Sequence, residues 1–382
     1  MSDFDPENYE EPWPEFQGKQ MAHHALSLLA LVEKSDAWKM SENPVAKFSA
    51  IVPNLLSCTI RESLDRFGCR VMAQVFWMSL SECHPDASKL VMQLYHNDYH
   101  PEELIDSLFE DGTFNISPIK QMAGQVFTHL YVPFMNPGGI QSHPIAPEPI
   151  PEPAESVVNG ILVEYAASDP WGQRRQELLE QLTYLRDGRR CPLTGYAFRG
   201  FGKCTGVPAT LCYIIPKFIG SNNKTEPLEM IRLFAGKQVA ELVRAELNSI
   251  GNVITLYTGI AVIVDELQFG IEAVEKDDEV QYYFRLPPEA ELDPIHPYSV
   301  KPGGRIPFGA GPYGNRFGRG PNAKLCNLHW AILRVMHMSG ALAVFGKERD
   351  EQLENPSVVS SVHYIDAHLD KFAVEREVAS GA

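Results

Sequence analysis

No stretch of these 382 residues approaches the roughly 18 consecutive apolar positions that cross a bilayer. Met1 to Glu15 is acidic and aromatic where a secretory signal would be basic and then apolar, so the expectation is a cytoplasmic protein with no membrane insertion. No Cys-x-x-Cys pair occurs. Seven cysteines are an odd number, and the chain is too long to depend on disulfides, so free thiols in a reducing compartment are expected. Positive charge is scarce as well: 33 Lys and Arg against 49 Asp and Glu leave a net charge of -16, which disfavours nucleic acid as a partner. Against these shortages stands a 44% hydrophobic content, sufficient for two modest domains or one large one.

Residues 1–17 place Pro6, Pro12 and Pro14 among acids and aromatics, which suits an extended arm. Residues 18–135 read as a helical domain. Leu26, Leu29 and Val32 fall at helical spacing, as do Val45, Phe48, Ile51, Leu55 and Ile60, with an interruption or kink expected at Pro53. Cys69 to Ser81 reads as a buried helix, and Pro101 to Phe109 as a short one with Glu102 and Glu103 in its first turn, making about five helices in all. Eight prolines and glycines between Asn136 and Ser156 mark 136–156 as a linker. A helix follows with Asp169 as N-cap, Pro170 at its first position and Gly188 near its end, and another spans Thr225 to about Asn248. Residues 252–256 and 260–264 fit strand or helix equally on propensity. Residues 301–321 form a glycine-rich loop carrying Lys301, Arg305, Arg316 and Arg319, with Lys324 just beyond. It reads either as a mobile surface loop or as a cover over a phosphate or substrate, and a final helix begins near Asn322. Residues 348–382 form a tail.

Within residues 157–347 a set of motifs keeps a recognisable order. Arg-Asp-Gly at 186–188 ends a helix, and Cys191-Pro-Leu-Thr-Gly195 opens a turn with Leu211-Cys-Tyr-Ile-Ile-Pro216 as its return strand. The long helix follows, then Asn252-Val-Ile-Thr-Leu256, Asp265, Leu267-Gln-Phe-Gly-Ile271, and a closing helix from His329 to Ser-Gly-Ala341. This order resembles the fungal branch of HNH (ββα-metal) endonuclease-type proteins. The resemblance implies an α+β fold, with a helical N-terminal half followed by a ββα domain that contains an inserted helix and a closing C-terminal helix. It also decides the 252–256 ambiguity in favour of a strand.

In such a nuclease, a histidine on the first strand takes a proton from water while a divalent ion neutralises charge at phosphorus. An asparagine orients that base, and a histidine on the following helix binds the metal. Here the first position is Tyr213, a phenol with an ordinary pKa near ~10, and the second is Ala261. Only Asn252 remains of the three. The chain is therefore expected to need no metal and no other cofactor.

Rebuilding the metal site from Asp265, Glu266, Glu272 and His296 is disfavoured. A zinc site from Cys191, Cys204 and Cys212 lacks the usual close pair. His329 and His337 read as packing residues before ligands, and His23-His24 has no identifiable partner.

Three readings follow. The favoured one is a small-molecule enzyme of secondary-metabolite biosynthesis, performing cyclisation, rearrangement or cycloaddition. Tyr213, Asn252 and Asp265 would be its catalytic residues, and Arg305, Arg316, Arg319 and His329 its substrate-binding residues. Second is a pseudo-enzyme that binds protein or nucleic acid without cutting it. Third is a metal-dependent endonuclease with relocated ligands.

Overall fold

A computed structural model describes residues 15–34, 45–96, 103, 108, 114–135, 153–199, 206–220, 226–277, 279–288, 290 and 298–344. Apolar residues at helical spacing produce α1 (Glu15–Lys34), which buries Met21, Ala25, Leu28, Leu29 and Val32. α2 (Val45–Phe67) contains Pro53 inside an unbroken helix. α3 (Val71–Ser81) is buried almost throughout, as its apolar composition requires, and α4 (Ala87–Tyr95) follows. Of the helix expected at Pro101–Phe109, only Glu103 and Leu108 lie among the described residues. α5 (Ser117–Val126) carries Pro118 in its first turn, where the missing N–H costs nothing, and runs on through a π-helical turn at Phe127–Tyr131.

The remaining elements are α6 (Glu155–Ala167), α7 (Gln173–Asp187), β1 (Ala209–Tyr213), α8 (Glu226–Ala235), α9 (Lys237–Glu246), β2 (Val253–Tyr257), α10 (Thr258–Asp265), β3 (Gly270–Lys276), β4 (Glu279–Arg285), β5 (Arg305–Ile306) and α11 (Ala323–Met338). The fold is thus mixed α+β, with helices beside two small antiparallel sheets, β1-β2 and β3-β4-β5. Among the described residues no helix is long and apolar enough to cross a membrane.

The chain divides into two units. The first takes the described residues within 1–133, 225–240 and 334–382, and the second those within 134–224 and 241–333. In the first unit, Ser63 Oγ donates to the Phe234 carbonyl at 2.6 Å and Cys69 Sγ to the Leu233 carbonyl at 3.3 Å, tying α8 to α2 and to the turn that follows it. Trp77 Nε1 donates to the Met21 carbonyl at 3.0 Å. Glu62, buried on α2, meets Arg334 at 3.1 Å.

Several local expectations change. The helix read from Thr225 to Asn248 is two helices, because Gly236 adopts φ +90° between α8 and α9, a left-handed conformation that ends an α-helix. Asp169 does not cap α7. Its carboxylate accepts from Trp171 N at 3.0 Å in a turn of its own, and Gly172 takes the N-cap position. Residues 258–265, which fit strand or helix on propensity and contain the Ala261 that the resemblance places on a helix, form α10. Asn322 does cap the last helix, its side chain accepting from Lys324 N at 3.0 Å.

Candidate functional site

The second unit is organised around the β1–β2 hairpin. The return strand expected to pair back onto 186–195 pairs instead with β2, Tyr213 opposite Val253 and Ala209 opposite Tyr257. Residues 191–196 close on themselves, Gly195 N donating to the Cys191 carbonyl and Cys191 N to the Tyr196 carbonyl. Strand alternation sends Ala209, Leu211, Tyr213, Val253, Thr255 and Tyr257 to one face and Thr210, Cys212, Ile254 and Leu256 to the other. α10 leaves β2 directly and lies on the second face, where Thr210 and Thr258 hydroxyls meet at 2.9 Å.

The second face borders a cavity of about 10 Å³, room for a single water. Cys212, Val264, Phe269, Cys326 and His329 line it. His329 is buried and packs near the Phe134 ring, and burial alone pushes its imidazole down to about 4, so it stays neutral at physiological pH. Its expected part in binding a substrate gives way to a core histidine. Burial likewise pushes the Cys326 thiol up to about 12, which keeps it from acting as a nucleophile.

The first face meets α7, whose composition is strongly polar although ten of its fifteen residues are buried. Leu178, Leu182 and Leu185 pack with Val158 and Ile161 of α6. The other buried side, at helical spacing, carries Gln176, Glu180, Thr183, Tyr184 and Asp187. Tyr213 touches the cavity, but its hydroxyl stands beside Gln176 and Glu180. Burial pushes this phenol up to about 12, with the Gln176 amide moderating the rise and the Glu180 charge adding to it. No hydrogen bond of acceptable geometry reaches the Tyr213 hydroxyl or the buried Thr255 hydroxyl on the same face. Glu180 is 8% exposed; burial, then the neighbouring Glu177 charge, pushes its carboxyl up to about 8, so it is mostly an acid at neutral pH.

At the end of α7, Arg186 is wholly buried. It pairs with Asp187 at 2.6 Å and donates to the Ile250 carbonyl at 2.6 Å and the Val253 carbonyl at 2.8 Å. Asp187 accepts from Gly309 N at 3.2 Å, and Gly311 N donates to the Arg186 carbonyl at 2.8 Å. The Arg-Asp-Gly motif is therefore the anchor to which the start of β2 and the glycine-rich loop are tied.

That loop is held, not free. Arg316 donates to the Asn159 side chain at 2.7 Å, Arg319 pairs with Glu279 at 2.7 Å, and Arg305 is exposed on the short strand β5. Two of the three arginines expected to bind substrate thus bind the protein itself. Glycine is required there by contact: a Cβ on Gly311 would lie 2.4 Å from the Leu185 carbonyl oxygen, and one on Gly314 2.0 Å from that of Gly309.

Asn252 is fully buried. Its side-chain oxygen accepts from Ile215 N at 2.8 Å, and its two N–H groups donate to the Ile215 carbonyl at 2.8 Å and the Leu247 carbonyl at 3.0 Å. No donor remains for a substrate, so Asn252 is a clamp on the chain just beyond Tyr213. Asp265 closes α10, and its side chain, like His296 and Cys204, lies outside the described residues.

The residues at the metal positions of the HNH resemblance do not fit a metal ion. The Tyr213 hydroxyl is on the α7 side of the hairpin, and Ala261 on α10 has no donor atom. Among the described residues no group of three or more His, Cys, Asp or Glu side chains is placed to hold a cation.

Sequence reasoning passed over Gln176 and Glu180, because polar residues at helical spacing ordinarily mark a solvent face. No family model, no curated protein and no solved structure matches this chain.

Proposed function

We propose that residues 157–347 are an HNH-like scaffold that no longer performs metal-dependent cleavage and serves as a small-molecule enzyme of fungal secondary-metabolite biosynthesis, for a cyclisation, rearrangement or cycloaddition. The observation that carries this reading is the Tyr213 hydroxyl, at the position of the nuclease base. It is buried on the α7 side of the hairpin, beside the Gln176 side chain. A phenol pushed up to about 12 donates a hydrogen bond at neutral pH and does not take a proton from water. The order β1, β2, α10, an antiparallel pair leading straight into a helix, is the connectivity a ββα scaffold needs.

A non-catalytic binding role is the second reading, favoured by the exposed cations Lys301, Arg305 and Lys324 around a loop whose backbone is tied down. Salt-sensitive retention of nucleic acid without turnover is its signature.

The deciding experiment incubates the protein with plasmid, single-stranded DNA and RNA in Mg²⁺, Mn²⁺ or Zn²⁺, beside a Tyr213→His/Ala261→His double variant. The unaltered chain is expected to cleave none of them. Cleavage that a chelator abolishes would overturn the proposal and mean that the ligands had been rebuilt elsewhere.

A further inference from the structure

α6 is apolar around most of its circumference, a composition that belongs to a helix covered on every side. It buries only Val158 and Ile161, which pack against the leucines of α7. On the opposite side Val163 is 71% exposed and Val157 49%, where a solvent face ordinarily carries polar residues. Gly160 lies between them and is exposed as well. A Cβ there would meet nothing within 4 Å, so no contact among the described residues calls for glycine, although glycine in mid-helix weakens a helix relative to alanine.

Helix geometry makes this face its own complement. Val157 and Val163 lie about 60° to either side of Gly160, and about 4.5 Å below and above it along the axis. An antiparallel copy of α6, related by a two-fold axis at Gly160, therefore brings each Val157 level with the other copy's Val163 and sets the two glycines against each other. The missing side chains let the two backbones approach. Charge favours the same arrangement. Within the chain Glu164 pairs with Arg174 at 2.6 Å and Glu155 with Arg316 at 3.8 Å, so the rim of the face is locally balanced in a chain of net charge -16. The two-fold also sets Glu164 level with Ser156 instead of with its own counterpart.

We propose that the chain forms a two-fold symmetric dimer through α6, with Val157, Gly160 and Val163 at the centre of the contact and a second copy of the same chain covering the face. Dimerisation through this face is independent of the chemistry proposed above. One helix face is a small contact, so the association is modest and follows concentration.

The test is light scattering on the full-length protein across a concentration series. The mass is expected to rise from 42.7 kDa toward twice that value. Val163→Glu should weaken the dimer at least ~tenfold and leave the melting temperature of the dilute protein unchanged, because the side chain is open to solvent in the single chain. Gly160→Cys, on the axis, is expected to give a disulfide-linked dimer under mild oxidation, and Val262→Cys, exposed on α10, no more than the parent chain gives. A mass that stays at 42.7 kDa would overturn the dimer and leave the face to a different partner. A dimer that survives Val163→Glu, or equal cross-linking from the two cysteine variants, would put the interface elsewhere and overturn the proposal as well.

Discussion

Arg186 and Asp187 are adjacent in the chain and both are buried, with a side-chain exposure of 0% and 3%. A buried pair of this kind contributes little against an apolar substitute, but removal of one partner strands the other charge. Arg186→Ala is expected to cost about 3–5 kcal/mol, read from urea unfolding, and to free the 309–313 loop for proteolysis. Asn252→Ala removes three hydrogen bonds and leaves the Ile215 N–H and two carbonyls unpaired, so a loss of about 2–4 kcal/mol is expected by the same measurement. Glu180 has the opposite sign. Its folded pKa, about 8, lies above the ordinary unfolded value, so the folded state holds the proton more tightly. The resulting contribution to stability is fully present below ~4.3 and is lost as pH rises through about 8, at roughly 1.4 kcal/mol per pH unit between them. His329 works the other way: its contribution is present above ~6.5 and is lost as pH falls through about 4. Subtracting the stability profile of Glu180→Gln from that of the parent chain isolates the glutamate, and the variant should be the more stable of the two at pH ~8.

At the scale of elements, α7 joins the parts of the second unit. One side closes against α6 through leucines, the other against the hairpin through polar groups, and its end holds the glycine-rich loop. The loop can approach that end only because Gly311 lacks a side chain. Gly311→Ala would drive a methyl group into the Leu185 carbonyl, so a loss of at least ~2 kcal/mol is expected, with faster amide exchange at Arg319 and its neighbours as the local readout. Some elements were legible beforehand. The α7 C-terminus was announced by Asp-Gly, the start of α11 by Asn322, and β2 by the motif at Asn252. Others were not. The break at Gly236 sits within an apolar periodicity that continues across it.

At the scale of the whole molecule, the six described cysteines are all buried and none of them forms a disulfide. Burial pushes the Cys58 thiol up to about 11 and that of Cys83 up to about 12, so the described sulfurs with a resolved shift behave as small apolar side chains. The sequence by itself determined the helical character of the described residues within 18–135 and the glycines that later proved obligatory. It could do so because periodicity, residue chemistry and backbone freedom are local properties. Only the tertiary structure decided that Asn252 is a clamp, that Arg316 and Arg319 hold the protein itself, and that Glu180 is buried on the polar side of α7. The physical reason is that a polar side chain does not announce its partner: whether Glu180 is buried depends on residues distant in the chain, and burial, with the Glu177 charge adding to it, pushes its carboxyl up to about 8.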